Sequence, residues 1–255
     1  MIRLWLQVCL LVLVFPLMVF ASEPDQVILE KIVNALESPF RAKSGSLPAI
    51  ADFKLVFVQD SEVVSLGQQQ RARGEAVFKF LPSSEKSRVS PLFRWEYHDP
   101  DKQLIVSDGR EIWFYIAENQ QAIHSDARQA LSEKEGSNPL IFLTNLGELS
   151  RFFEIRWFRD QPQQAEDYFL ELIPLEKSPL IKTLVLGVYK EAVTAKEGPP
   201  AFPIHSLLLT NVNNDRTRIE FLETGVNRRP AEKLFRFTPP PGTEILTPED
   251  VQRAF

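Results

Sequence analysis

Apolar residues recur at helical spacing in only two stretches of the chain. Ser22-Glu23-Pro24-Asp25 reads as a helix start, with proline where a missing N–H does no harm. Ile28, Leu29, Ile32, Val33 and Leu36 then share one face, and Ser38-Pro39 ends the run. Asn138-Pro139 opens the second stretch, with Leu140, Ile141, Phe142, Leu143 and Leu146 before Gly147 interrupts it. A short helical turn is predicted from Glu148 to Phe152. Each of these stripes must be covered by something apolar.

Elsewhere the period is two. Phe53, Leu55 and Phe57 alternate with Lys54, Val56 and Val58; Ala76, Phe78 and Phe80 follow Gly74; Phe93, Trp95 and Tyr97 alternate with Arg94, Glu96 and His98. Short strands are predicted at 103–107, 111–117 and 121–124, with Asp108-Gly109 and Glu118-Asn119 as the turns between them. Further strand patterns fall at 154–158, 167–173, 181–188, 204–211, 217–222 and 234–237, with Asn213-Asn214-Asp215 as a turn. Residues 83–90 and 190–203 read as solvated loop insertions. No repeat and no composition shift divides the chain. The expectation is a mainly β single domain over 22–255: one unclosed antiparallel barrel of about eleven strands, covered on one side by short helices.

The first 21 residues stand apart. Arg3 precedes a run from Leu4 to Phe20 that is apolar apart from Gln7, and Val19-Phe20-Ala21 places small residues where a signal peptidase cuts. The segment reads as an export signal rather than a retained anchor. Cys9, the sole cysteine among 255 residues, lies inside it, so the remainder has neither a disulfide nor a cysteine zinc site. Both methionines, Met1 and Met18, lie there too. The aromatic residues are skewed toward Phe, with 19 against 4 Tyr and 4 Trp in the whole chain, and that apolar surface must be placed somewhere. The net charge of −5 argues against a nucleic-acid binder and against strong attraction of the whole molecule to anionic lipid.

Chemistry is hard to find. His98, His124 and His205 share no metal-ligand spacing, and the chain has no G-x-S-x-G elbow, H-E-x-x-H or phosphate loop. Ser107-Asp108-Gly109 is explained by its turn. Neither an enzyme nor a cofactor or metal is expected. The apolar faces of the strands outnumber the helical stripes available to cover them, which suits a pocket for lipid. Ordinary sheet core is the competing reading of Phe93, Trp95 and Tyr97.

Longer motifs carry a resemblance. Leu92-Phe93-Arg94-Trp95-Glu96-Tyr97, Pro100, Leu104-Ile105-Val106-Ser107-Asp108-Gly109 and Ile112-Trp113-Phe114-Tyr115 occur in that order along the chain. With Asn138-Pro139-Leu140 and Phe235-Arg236-Phe237-Thr238-Pro239-Pro240-Pro241-Gly242, they resemble the outer-membrane lipoprotein carrier protein family of LolA type, over roughly 53–243. The resemblance implies a monomeric periplasmic carrier that holds lipoprotein acyl chains under a helical lid. It implies loading by an inner-membrane ABC-type release complex and delivery to an outer-membrane receptor lipoprotein. On this reading Phe53, Leu55, Phe57, Phe78, Phe93, Trp95, Ile112 and Phe114 face the lipid, and Ile28, Leu29, Ile32, Leu36, Leu140 and Leu143 line the lid. The family has an arginine before the proline that comes after its second strand, bonded to lid carbonyls. Here Leu81 precedes Pro82, and Arg88 is the nearest candidate for a substitute latch. A sensor or protein-assembly module on the same fold, and more remotely an envelope lipid or glycan hydrolase, are the rival readings.

Overall fold

One sheet gathers the alternating segments from Asp52 to Val226, with one further short strand near the end of the chain. Its strands are β1 (Asp52–Val63), β2 (Gln68–Lys79), β3 (Leu92–Asp99), β4 (Gln103–Ser107), β5 (Glu111–Ile116), β6 (Gln121–Asp126), β7 (Phe153–Trp157), β8 (Tyr168–Pro174), β9 (Thr183–Val188), β10 (Ile204–Thr210), β11 (Arg216–Val226) and β12 (Glu244–Leu246). They lie in the order β12-β6-β5-β4-β3-β2-β1-β11-β10-β9-β8-β7, so β12 and β7 are the two ends and the sheet is unclosed. The computed structural model describes residues 23–42, 46–82, 91–131, 139–160, 166–178, 181–195 and 198–253. The segment read as an export signal, Asn138 and Arg88 lie outside these residues.

The turns form where the sequence places them. Gly109 takes φ 84° between β4 and β5, and the Asp108 carboxylate accepts from the Arg110 and Glu111 amides at 2.9 and 3.1 Å. Asn214 takes φ 66° between β10 and β11, where the Asn211 side chain accepts from the Asn213 and Asp215 amides. Both are short polar side chains mimicking a backbone turn.

The expected unclosed, mainly antiparallel sheet is present, with twelve strands among the described residues; β12 pairs with β6 in parallel, Glu244 opposite Gln121, while the other pairs are antiparallel. Two expectations need correction. Residues 234–237 are not a strand: Glu232–Phe235 is a 3₁₀ turn within a segment that crosses the convex face. Phe235 is buried there against Leu81 and Leu92, and Phe237 packs against Trp113 and Tyr115. Alternate burial of two phenylalanines gave that segment a strand-like pattern without a partner strand. Finally, 190–203 is no mere solvated loop. It contains a short helix, Lys190–Thr194, and Phe202, whose ring enters the core beside Phe40, Phe53 and Phe221.

Candidate functional site

Register aligns the aromatic positions into rows across the concave face. Phe53, Phe78 and Phe93 are mutually opposite on β1, β2 and β3, and the row continues through Ser107 and Ile112. The next row runs Leu55, Ala76, Trp95, Ile105, Phe114 and Ile123, and the third Phe57, Gly74, Tyr97, Gln103. Leu186, Leu207 and Ile219 extend the apolar face across β9, β10 and β11. Phe53 stacks on Phe78 at 4.6 Å, and Phe57 lies 4.3 Å from Trp95. Along the strands the surface grows polar: Tyr97 donates its hydroxyl proton to Gln59 Oε1 at 2.9 Å, and burial raises the Tyr97 pKa. Gln59 and Tyr97 line a small cleft of about 110 Å³ at that end with Asp99 and Asp101.

Helices cover the apolar rows. α1 (Glu23–Glu37) presents Ile32 and Leu36, and a 3₁₀ turn at Ser38–Phe40 adds Phe40, which packs edge-on to Phe53 at 6.0 Å. α2 (Ala127–Ala130) only caps the end of β6. α3 (Pro139–Thr144), the turn Leu146–Glu148 and α4 (Leu149–Phe152) contribute Phe142, Leu143, Leu146 and Leu149.

Polar atoms join these pieces around Glu37. The Glu37 carboxylate is almost fully buried, at 1% exposure, and accepts from the Ser150 amide at 2.6 Å and the Ser150 hydroxyl at 3.1 Å. Arg41 pairs with Glu37 and donates from Nε to the Gly147 carbonyl at 2.8 Å and from a terminal nitrogen to Asn34 at 3.0 Å. Glu37 thus satisfies an amide in the first turn of α4, and Arg41 a carbonyl in the turn before it. Beside this clasp a cleft of about 370 Å³ opens between α1 and the terminal strand β7, floored by Leu29, Val33, Phe153 and Ile155.

The expected site residues fall into three groups. Phe53, Leu55, Phe57, Phe78, Phe93 and Trp95 converge on one core and are closed off from solvent in this state, with Ile112 and Phe114 half-buried at its margin. Ile32, Leu36 and Leu143 face that core, and Leu29 packs against it from a half-buried position. Ile28 does not: it is 46% exposed, because a helix lying over a sheet buries the narrower stripe of 29, 32, 33 and 36. The side chain of Leu140 lies outside the described residues. The Glu37–Arg41 clasp escaped sequence reading, since Glu and Arg four apart on a helix resemble an ordinary solvated pair.

The histidines sit on the outer face. His124 stacks on Trp113 at 4.0 Å, and His205 lies between Phe169 and Tyr189 with Asp167 at 3.7 Å. Among the described residues no group of three or more His, Cys, Asp or Glu is placed to hold a metal. Burial lowers the His205 pKa, against the opposing pull of Asp167 and Glu220. Below the unfolded value of about 6.5 the unfolded chain then binds more protons than the folded one, so stability falls as pH drops through that window. His205→Gln should flatten the dependence of urea stability on pH between about 7 and 5; an unchanged slope would remove His205 as its source.

Comparison with known proteins agrees with this geometry. A sequence model described as outer membrane lipoprotein carrier protein LolA matches residues 53–238, from the start of β1 to the segment on the convex face. An outer-membrane lipoprotein carrier protein of Nitrosomonas europaea is 29% identical over 60% of this chain and 66% of its own length. One from Methylococcus capsulatus is 30% identical over 60% and 65%, and one from Neisseria meningitidis serogroup C is 24% identical over 81% and 89%. The chain thus spans just under two thirds of the length of the first two relatives. With nearly three quarters of its residues inside the match, and the matched stretch forming the whole apolar rows of the sheet, the chain belongs to the LolA family of outer membrane lipoprotein carrier proteins.

Proposed function

We propose that this protein is a periplasmic, non-enzymatic carrier that shelters lipoprotein acyl chains between the concave sheet and its helical lid. The observation that supports it most is the apolar face of Phe53, Phe78, Phe93, Leu55, Trp95 and Phe57, covered by separate helical pieces. The Glu37–Arg41 clasp joins those pieces. Loading by an inner-membrane ABC-type release complex and delivery to an outer-membrane receptor lipoprotein are carried over from the family resemblance.

Magnitudes fit an exchange of lid for cargo. At ~0.8 kcal/mol per buried CH₂, a sixteen-carbon chain kept from water is worth ~12 kcal/mol. Exposing Ile32, Leu36, Phe142 and Leu143 costs about 1.5–3 kcal/mol each, so the four together are of the same order. An acyl chain replacing them against the sheet leaves the total burial little changed. The lid therefore opens at small net cost when cargo is present and stays shut when it is not. The cleft between α1 and β7 gives a chain its way in, since the sheet is unclosed at that strand.

A triacylated lipopeptide tests this. Native mass spectrometry should show a one-to-one complex, and amide exchange in α1 should exceed that in β3 and change on binding, while β3 stays protected. Absence of the complex, or identical protection of both segments with and without lipopeptide, would overturn the carrier reading.

A further inference from the structure

A polar atom within the apolar rows lacks a partner. Trp95 is fully buried on β3, yet among the described residues no acceptor lies in hydrogen-bonding geometry to its indole N–H. A buried tryptophan usually finds an acceptor for that proton, because the fold has already stripped it of water. Two other buried nitrogens without a bond, Nε2 of His124 and of His205, lie on the outer face with Glu111 and Asp167 at 3.5 and 3.7 Å. Trp95 lies on the inner face instead, with Phe57 and Tyr97 as ring neighbours.

The groups next to it define what it can take. The Gln59 amide nitrogen donates to Ser61 Oγ at 3.1 Å, and its oxygen receives the Tyr97 hydroxyl proton at 2.9 Å. Trp95 and Gln59 both favour the ionised Tyr97 oxygen, and burial outweighs them. Tyr97 therefore has no proton to offer to the interior. Of these three side chains, it is the indole whose N–H finds no acceptor. Beyond Tyr97 the small polar cleft begins, where Asp99, Asp101 and Gln103 join the lining and no lysine or arginine does. Arg73 is opposite Asp99 in the strand pairing but is not part of that lining. A phosphate or a free carboxylate would meet like charge here. A neutral carbonyl would not, and that is the group joining an acyl chain to glycerol in an ester.

We infer that the Trp95 indole N–H anchors the ester carbonyl of a bound acyl chain, with the hydrocarbon over the first two rows and the glycerol side toward the Gln59–Tyr97 cleft. The inference rests on the carrier reading and adds the point at which the interior reads polar chemistry. The carbonyl accepts from a donor that gives up no water on binding, so dehydration of the protein does not offset the bond. Phe53, Phe78 and Phe93 make no such distinction and take any hydrocarbon alike.

Glycerol monolaurate and its ether analogue, dodecylglycerol, provide the probe, since they differ in that carbonyl. Displacement of a fluorescent apolar dye should show about tenfold tighter binding of the ester, although the ether is the more apolar ligand. Trp95→Phe keeps an aromatic ring and removes the N–H, and it should bind the ether at least as well as the ester. Tyr97→Phe should keep the preference, because its hydroxyl proton is already given to Gln59. Binding of the ether by each variant shows that its interior is intact. The ester-to-ether ratio of the parent needs no variant, so the test stands even if Trp95→Phe fails to fold. Equal affinities of the parent for the two ligands would overturn the anchor and leave the carrier reading in place. So would a preference that survives in Trp95→Phe, or one that disappears in Tyr97→Phe. Failure of the parent to bind either ligand would overturn both together.

Discussion

Glu37→Leu should speed amide exchange in α1 about 30- to 150-fold while leaving β3 unaffected. The carboxylate removed is buried and accepts two hydrogen bonds from Ser150 besides pairing with Arg41. Its loss leaves the Ser150 amide without that acceptor and Arg41 without its anion. Truncating one partner of a buried pair costs about 3–5 kcal/mol. Here Arg41 is 45% exposed and can turn to water, so about 2–3 kcal/mol is the fitting range. Glu37→Gln keeps an acceptor toward Ser150 and should move exchange by about tenfold only. Arg41→Leu and the double variant complete a cycle that isolates the pair. If α1 exchanges at the parent rate in Glu37→Leu, the apolar contacts of Ile32 and Leu36 alone hold α1 against the sheet.

Gly74→Ala should lower urea stability by about 3 kcal/mol. Gly74 lies between Phe57 and Tyr97 in the third row, at an irregularity in the β2–β3 pairing. A Cβ there would meet the Glu96 carbonyl oxygen at 2.1 Å and the Phe57 ring at 2.7 Å. The ring can rotate away, but the carbonyl belongs to a strand bonded on both sides, so the sheet itself has to move. Phe57→Leu relieves only the ring contact and should recover part of the loss. A cost below about 1 kcal/mol would mean that the irregularity absorbs the methyl group.

These two sites differ in how far the sequence announces them. Alternation at 53–57, 76–80 and 93–97 gives both the strands and their inward faces, because one side of each is buried and a one-residue slip would invert it. The extensions of β1 and β2 through Gln59–Val63 and Gln68–Arg73 carry no such signal. They carry mainly polar residues on both faces, and pairing with neighbouring strands defines them: β1 and β2 with each other, and β1 with β11 as far as Glu62 opposite Arg216. Phe202 hides among prolines, a composition that reads as loop although its ring is part of the core. The clasp is hidden differently. Glu37 and Arg41 are near neighbours, but their decisive partners, Ser150 and Gly147, are 113 and 106 residues away. No local pattern encodes a meeting between two helical pieces so far apart in sequence.

Sheet order also bears on when this molecule can fold. The middle of the sheet joins the two ends of the chain: β1 pairs with β11, and the Ala51 amide donates to the Asn227 side chain across 176 residues of sequence. Loop-closure entropy must be met before that seam gives anything in return, so folding is slow for a domain of this size. A chain emerging from its N-terminus can make the β1–β2 hairpin early, yet one long flank of β1 has no partner until β11 has emerged. Until then the apolar rows are half a surface, open to any holdase that binds extended chain. The arrangement delays collapse of the sheet until synthesis of the chain is almost complete.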